Sequence, residues 1–197
     1  MKSLLLFASL VVTPLACADV KTGDPAPAFT LTDTHGKVRT LSEFKGKFVV
    51  LEWVNHGCPF VRKHYDSGNM QALQKEATAK GVIWLSICSS ALGKQGNLSP
   101  DEWNKTTAAQ GAVPTAVLPD EDGKVGKLYG ARTTPHLFVI APDGRLIYQG
   151  GIDNIRSAAP EDIPKATNYV RVALEEAMAG KPVTTPDSQP YGCSVKY

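Results

Sequence analysis

The sequence contains no apolar run that approaches the roughly 20 residues a transmembrane helix needs, so no membrane-spanning helix is expected. It also lacks an excess of either charge: 21 basic against 19 acidic residues give a formal net charge of +2. With its basic residues scattered, the chain offers no electrostatic footprint for nucleic acid. The one acidic run, Asp120-Glu121-Asp122, lacks the spacing of a calcium loop and reads as a solvated turn. Cysteine is scarce, with four in 197 residues, and Cys17 lies close to the N-terminus in a leader-like segment. The other three, Cys58, Cys88 and Cys193, are an odd number. In an oxidising compartment that implies one pair plus a free thiol, or a reactive thiol kept single for chemistry.

The leader-like segment is residues 1–18: Lys2, an apolar stretch over 4–12, and the small-residue pattern Ala16-Cys17-Ala18. It reads as a secretory signal peptide. Pro14 argues against a lipoprotein signal ending at Cys17. The expectation is an exported, soluble protein of the periplasm or extracellular space. Residues 19–197 are then one domain, with a core over about 28–180 and an extended tail at 181–197.

What the sequence does carry is concentrated in residues 48–63. Phe48-Val49-Val50-Leu51-Glu52-Trp53-Val54 is an apolar, β-branched run of the kind that forms a strand buried on both faces. Asn55-His56-Gly57 turns the chain, and Cys58-Pro59 opens a helix. Proline suits the first helical position because its missing N–H costs nothing there. Cys58 is therefore expected as N-cap, with its sulfur at the positive end of the helix. A helix N-terminus and nearby cations lower a cysteine pKa to about 3.5–7.5, against roughly 8.5 unperturbed. His56, Arg62 and Lys63 are the candidate cations. A structural thiol at a strand end is the alternative, and the strand, turn and N1 proline together favour the reactive one.

Ahead of this strand, residues 29–32 and 38–41 read as a hairpin turning at His35-Gly36. Beyond Cys58 the pattern predicts a helix to Lys80, broken at Ser67-Gly68-Asn69 and stopped by Gly81. Residues 82–87 are a second buried strand, so a βαβ crossover forms and Cys88 comes to the same rim as Cys58. Ser99-Pro100-Asp101-Glu102 starts a helix that runs to about Gln110. A short strand over 115–118, a helical turn over 124–129 and a hairpin of 137–140 with 146–149 follow. Residues 160–179 carry Ile163, Ala166, Val170, Ala173, Leu174 and Ala177 at helical spacing. The tail shows no periodic element. The class is α/β: a central mixed sheet flanked by helices, with an N-terminal hairpin and a C-terminal tail.

This order, with Thr133-Thr134-Pro135 ahead of the hairpin, resembles the thioredoxin superfamily over nearly all of residues 29–179. The stretches Asn55-His56-Gly57-Cys58-Pro59-Phe60-Val61, Thr134-Pro135-His136, Tyr148-Gln149-Gly150-Gly151-Ile152-Asp153 and Gly192-Cys193-Ser194-Val195-Lys196-Tyr197 resemble its peroxiredoxin-like redoxin branch, the alkyl hydroperoxide reductase/thiol-specific antioxidant type. The resemblance implies a thioredoxin-like fold and puts Cys58 at the nucleophile position. It implies a cis Pro135 facing Cys58, against the trans default of X–Pro bonds. Thr134, Pro135, Pro59 and Asn55 are the implied substrate-binding residues. Glu52 corresponds to a buried acid that accepts protons during disulfide exchange, a role suited to a carboxyl whose pKa is raised in a dry strand; the alternative is a residue satisfied by Lys or Arg.

The departures from that pattern are equally specific. Val61 stands where a Cys-x-x-Cys site has its second cysteine, so no local thiol resolves a mixed disulfide. Leu51 and Asn55 replace the proline and threonine of a peroxiredoxin site, and Pro135 takes the place of its arginine, with Arg132 the nearby substitute.

The leading expectation is an exported thiol-disulfide oxidoreductase that uses Cys58 with a distal resolving cysteine, Cys193. Cys193 is preferred to Cys88 because a mobile tail can approach and withdraw, whereas a thiol at the end of a buried strand is inert. The alternatives are a one-cysteine peroxiredoxin-like peroxidase and a non-catalytic binding or metal-carrier module using Cys58 with His56 or His64, and His136 completing the site. No cofactor is expected. The expected partners are a protein or small-molecule disulfide, thiol or hydroperoxide substrate and an external thiol reductant, with no nucleic acid and no membrane span.

Overall fold

The computed structural model describes residues 20–197, so the expected leader lies outside the described residues. In chain order, β1 (Thr30–Thr32) and β2 (Val38–Thr40) pair as an antiparallel hairpin, and a 3₁₀ turn at Leu41–Phe44 leads into β3 (Val49–Trp53). Two helices follow, α1 (Pro59–Asp66) and α2 (Asn69–Ala79), separated where Gly68 takes φ +76, a left-handed conformation that glycine adopts without steric cost. Next come β4 (Ile83–Cys88), α3 (Pro100–Ala109), β5 (Ala116–Pro119) and α4 (Lys124–Leu128). The chain continues through β6 (Thr133–Thr134), β7 (His136–Ile140) and β8 (Leu146–Gly150), then a 3₁₀ segment at Pro160–Lys165, α5 (Tyr169–Met178) and β9 (Cys193–Ser194).

The main sheet has the order β5-β4-β3-β7-β8. Strand β3 lies at its centre, parallel to β4 and antiparallel to β7. A parallel pair needs a long crossover, and α1 with α2 supplies it. Side chains alternate along β3. Val49, Leu51 and Trp53 pack on one face with Leu85, Ile87, Phe138 and Ile140. Val50 and Val54 pack on the other with Trp84, Leu137, Val139, Val61, Leu73 and Val170. Both faces are dry, and the pleat places Glu52 on the face covered by α1, α2 and α5. This mixed sheet flanked by helices, with a hairpin in front, is the architecture the sequence implies.

Two expectations need correction. The helix expected over 160–179 is interrupted: Pro164 lies in the 3₁₀ segment, and α5 begins only after Asn168, whose side chain accepts the Arg171 amide. Proline removes a helical donor and crowds the preceding turn, and asparagine at an N-cap satisfies an orphan amide. The tail also departs from expectation, because it is docked. Strand β9 pairs antiparallel with β6, Thr134 opposite Cys193 and Thr133 opposite Ser194. The Val195 amide donates to the Arg132 carbonyl, the Ala91 amide to the Lys196 carbonyl, and the Tyr197 hydroxyl to the Ala131 carbonyl at 2.7 Å.

The start of α5 can be tested by sign. Asn168→Ala is expected to lower stability by about 1 kcal/mol, the usual loss on removing a cap, read from urea unfolding with an unchanged m-value. If residue 168 lay inside one continuous helix, alanine would stabilise instead, and that result would contradict the observed boundary.

Candidate active site

Cys58 is the N-cap of α1, placed there by the turn from β3 and by Pro59 at N1. The turn is fixed by Asn55: its carbonyl accepts the Cys58 amide and its side-chain oxygen accepts the Gly57 amide, each at 2.9 Å, while Nδ2 donates to the Gln95 carbonyl at 3.0 Å. Asn55 thus shapes the loop under the sulfur. Pro59 is exposed. The Thr134–Pro135 bond is cis. From this loop the Thr134 carbonyl accepts the Cys58 thiol at 3.0 Å. From the tail, the Cys193 amide donates to Cys58 Sγ at 3.4 Å. Cys58 is fully buried and Cys193 half-buried.

The charge state of this pair follows from what faces each sulfur. Burial pushes the Cys58 thiol up, but hydrogen bonding with the Cys193 thiol, the Val61 and Cys193 amides and Thr134 outweighs it, and the pKa falls below the ordinary value. Cys193 moves the opposite way: burial first, then the hydrogen bond and charge of Cys58, push it up to about 11. The lower proton leaves Cys58. The cations expected from the sequence are paired elsewhere or held neutral. Lys63 is buried with its Nζ 3.6 Å from Asp153 Oδ2, Arg62 pairs with Asp66 in solvent, and burial holds His56 down to about 4. The thiolate is stabilised by neutral donors instead.

Glu52 is fully buried, and its carboxylate accepts Trp84 Nε1 at 2.7 Å, Tyr65 Oη at 2.8 Å, Ser86 Oγ at 3.1 Å and Gln74 Nε2 at 3.3 Å. Burial raises its pKa against the opposing pull of those bonds. The alternative of a Lys or Arg partner is corrected here, since every one of these donors is uncharged.

Cys88, the competing thiol, is buried at the end of β4 with Sγ directed to the Gly96 carbonyl at 3.3 Å, and burial raises its pKa. The structure therefore brings Cys58, Thr134 and Cys193 together and gives Cys88 partners of its own. Arg132 lines a polar cavity with His136, Gln149 and Gln189 behind the loop, and its amide donates to His136 Nδ1 at 3.3 Å. His56 packs against Tyr65 and Trp103, and His64 Nδ1 meets Asn69 Nδ2 at 2.8 Å. Each of these rings has protein partners.

One group escaped the sequence reading. The Tyr191 hydroxyl donates to Asp153 Oδ1 at 2.6 Å, beside the buried Lys63 and His64 of α1. The available signal was an aromatic residue two places before Cys193 in a stretch otherwise made of turn-formers.

The electrostatic account has a direct check in ultraviolet thiolate absorbance against pH. Two separated ionisations are expected from the pair, one on Cys58 below the ordinary thiol value and one on Cys193 near 11. Cys193→Ala should move the lower one upward by removing a donor. A Cys58 ionisation unchanged in that variant would contradict the account.

Residues 22–149 match the AhpC/TSA family. The thiol-disulfide oxidoreductase ResA of Bacillus thuringiensis subsp. konkukian is 28% identical over 145 residues, 74% of this chain and 78% of that protein. The chloroplastic peroxiredoxin Q of Triticum aestivum is 30% identical over 147 residues, 62% of this chain and 65% of its own length. Among solved structures, that of an uncharacterized conserved protein from Geobacillus kaustophilus superposes with a TM-score of 0.79 at 28% identity, covering 90% of this chain and 92% of that one. The sheet order, the thiol at a helix N-terminus and these similarities converge: the chain belongs to the AhpC/TSA family, on a thioredoxin-like fold, and is a thiol-dependent oxidoreductase.

Proposed function

We propose that this protein is an exported thiol-disulfide oxidoreductase in which Cys58 attacks and Cys193 resolves. The observation that carries the reading is the seat of Cys193, with its amide 3.4 Å from Cys58 Sγ on a strand registered against Thr134. In the first step the Cys58 thiolate attacks one sulfur of a substrate disulfide, forming a mixed disulfide and releasing one substrate thiolate. Cys193 then loses its proton and attacks the Cys58 sulfur, forming the Cys58–Cys193 disulfide and releasing the second thiolate. An external dithiol, or two thiols, reduces that disulfide and is itself oxidised.

The pair times its own deprotonation. While Cys58 is a thiolate, its charge and hydrogen bond help hold the Cys193 proton. Once Cys58 is in a mixed disulfide that negative charge is gone, and Cys193 ionises more readily when it must attack. Thr134 and Pro135 of the cis-proline loop and the exposed Pro59 are the substrate-binding positions in this reading, with Asn55 holding the turn that presents Cys58. Glu52, with its raised pKa, is the proton acceptor during exchange. Similarity to ResA supports disulfide exchange, and the leader over residues 1–18 supports export to the periplasm or beyond.

A peroxidase reading is favoured by the similarity to peroxiredoxin Q. There Cys58 would take one oxygen from a hydroperoxide, giving a sulfenic acid and an alkoxide, and an external thiol would reduce it. Against it, Asn55 stands at the threonine position with its side chain committed to Gly57 and Gln95. The two readings separate in initial rates with a disulfide and with hydrogen peroxide. Disulfide exchange is expected to be the faster, and Cys58→Ser to abolish both. Rapid, saturating oxidation of Cys58 by peroxide would place the peroxidase first.

A further inference from the structure

The tail could have reached Cys58 on a loose tether, yet it is bolted down two residues before Cys193. The ring of Tyr191 is buried, its centroid 6.0 Å from that of Phe60 in an edge-on arrangement, and its hydroxyl donates to Asp153 Oδ1 at 2.6 Å. The same carboxylate oxygen accepts the Ile155 amide at 3.0 Å, and the other faces Lys63 Nζ at 3.6 Å and His64 Nε2 at 3.9 Å. Lys63 also donates to the Ile155 carbonyl at 3.3 Å. Phe60, Lys63 and His64 all belong to α1, the helix that Cys58 caps. One rigid element therefore carries both the nucleophile and the floor on which the tail is anchored.

Between anchor and thiol lies Gly192 alone. Its φ is +137, and a Cβ there would collide with the Thr134 carbonyl. The chain passes so close to β6 that the seat of Tyr191 leaves no slack in the register of β9. A one-residue slip would turn the Cys193 side chain to the opposite face of that pairing. Burying a lysine–aspartate pair is costly, and removing one partner of such a pair is costlier. Here the pair holds an acceptor aimed at one hydroxyl, that of the tail.

On the reading that Cys193 resolves Cys58, we propose that Tyr191 and Asp153 are positioning residues for that step, setting Cys193 against the Cys58 sulfur from the helix that presents it. They touch no reacting atom and act through β9. Cys58 is fully buried, so a substrate reaches it as the tail lifts, and the Tyr191 seat then returns Cys193 to the mixed disulfide in the attacking register.

The test uses the reduced full chain in a Cys88→Ser background and the aromatic disulfide dithiobis(nitrobenzoate), which releases a coloured thiolate. Attack by Cys58 releases the first equivalent, and attack of Cys193 on the mixed disulfide releases the second. Tyr191→Phe deletes one oxygen and keeps the ring. Loss of a hydrogen bond to a charged group is expected to slow the second release roughly tenfold, with the first as fast as in the parent or faster. An unchanged second release, or an equal slowing of both releases together with a lowered melting temperature, would overturn the positioning role. A parent that never releases the second equivalent would instead remove the resolving role of Cys193, and this inference with it.

Discussion

The site depends on a two-residue strand pairing. Thr134, ahead of the cis proline, stands opposite Cys193, and this short antiparallel contact sets a second thiol and a backbone amide against a sulfur that the sheet and α1 have already fixed. Everything else in the tail serves or follows from that contact: the close pass at Gly192, the buried ring of Tyr191, the bond from Val195 to Arg132 and the final hydroxyl on Ala131. A chain without Cys-x-x-Cys thus holds a second thiol, from the far end of its sequence, beside Cys58.

The electrostatics follow from the same contact. A thiolate in a dry site is opposed by desolvation, and the usual remedies are a cation or a helix dipole. In this protein the nearby cations are spent elsewhere: Lys63 on Asp153, Arg62 on Asp66, and His56 held uncharged by burial. What lowers the Cys58 pKa is a ring of neutral donors, the first of them the partner thiol. The same bond raises Cys193, so within the pair Cys58 gives up its proton before Cys193 does. Glu52 obeys a similar logic one layer deeper, where four uncharged donors satisfy a carboxyl without ion-pairing it.

Local order was legible in the sequence where the pattern is local. The apolar run into β3, proline after Cys58, the break at Gly68 and the capping box at Ser99 each announce themselves within a few residues, and each is where expected. The cis geometry at Pro135 came from resemblance and agrees with the structure. The tail was not legible, because its ordering comes from partners far away in sequence: β6, Asp153 and the loop around Ala91. An aperiodic stretch of turn-formers looks mobile when its partners are hidden. Lys63 misled for the same reason. Next to a cysteine in sequence it reads as a cation for the thiolate, but helical geometry carries it round to face Asp153.

The central claim is that Cys58 and Cys193 are the working pair, and the cysteine Cβ chemical shifts in isotope-labelled protein test it most directly. On adding one equivalent of a small disulfide to the reduced chain, the Cys58 and Cys193 signals are expected to move together into the disulfide range while Cys88 stays at its thiol position. A joint shift of Cys58 and Cys88, with Cys193 left reduced, would contradict the account.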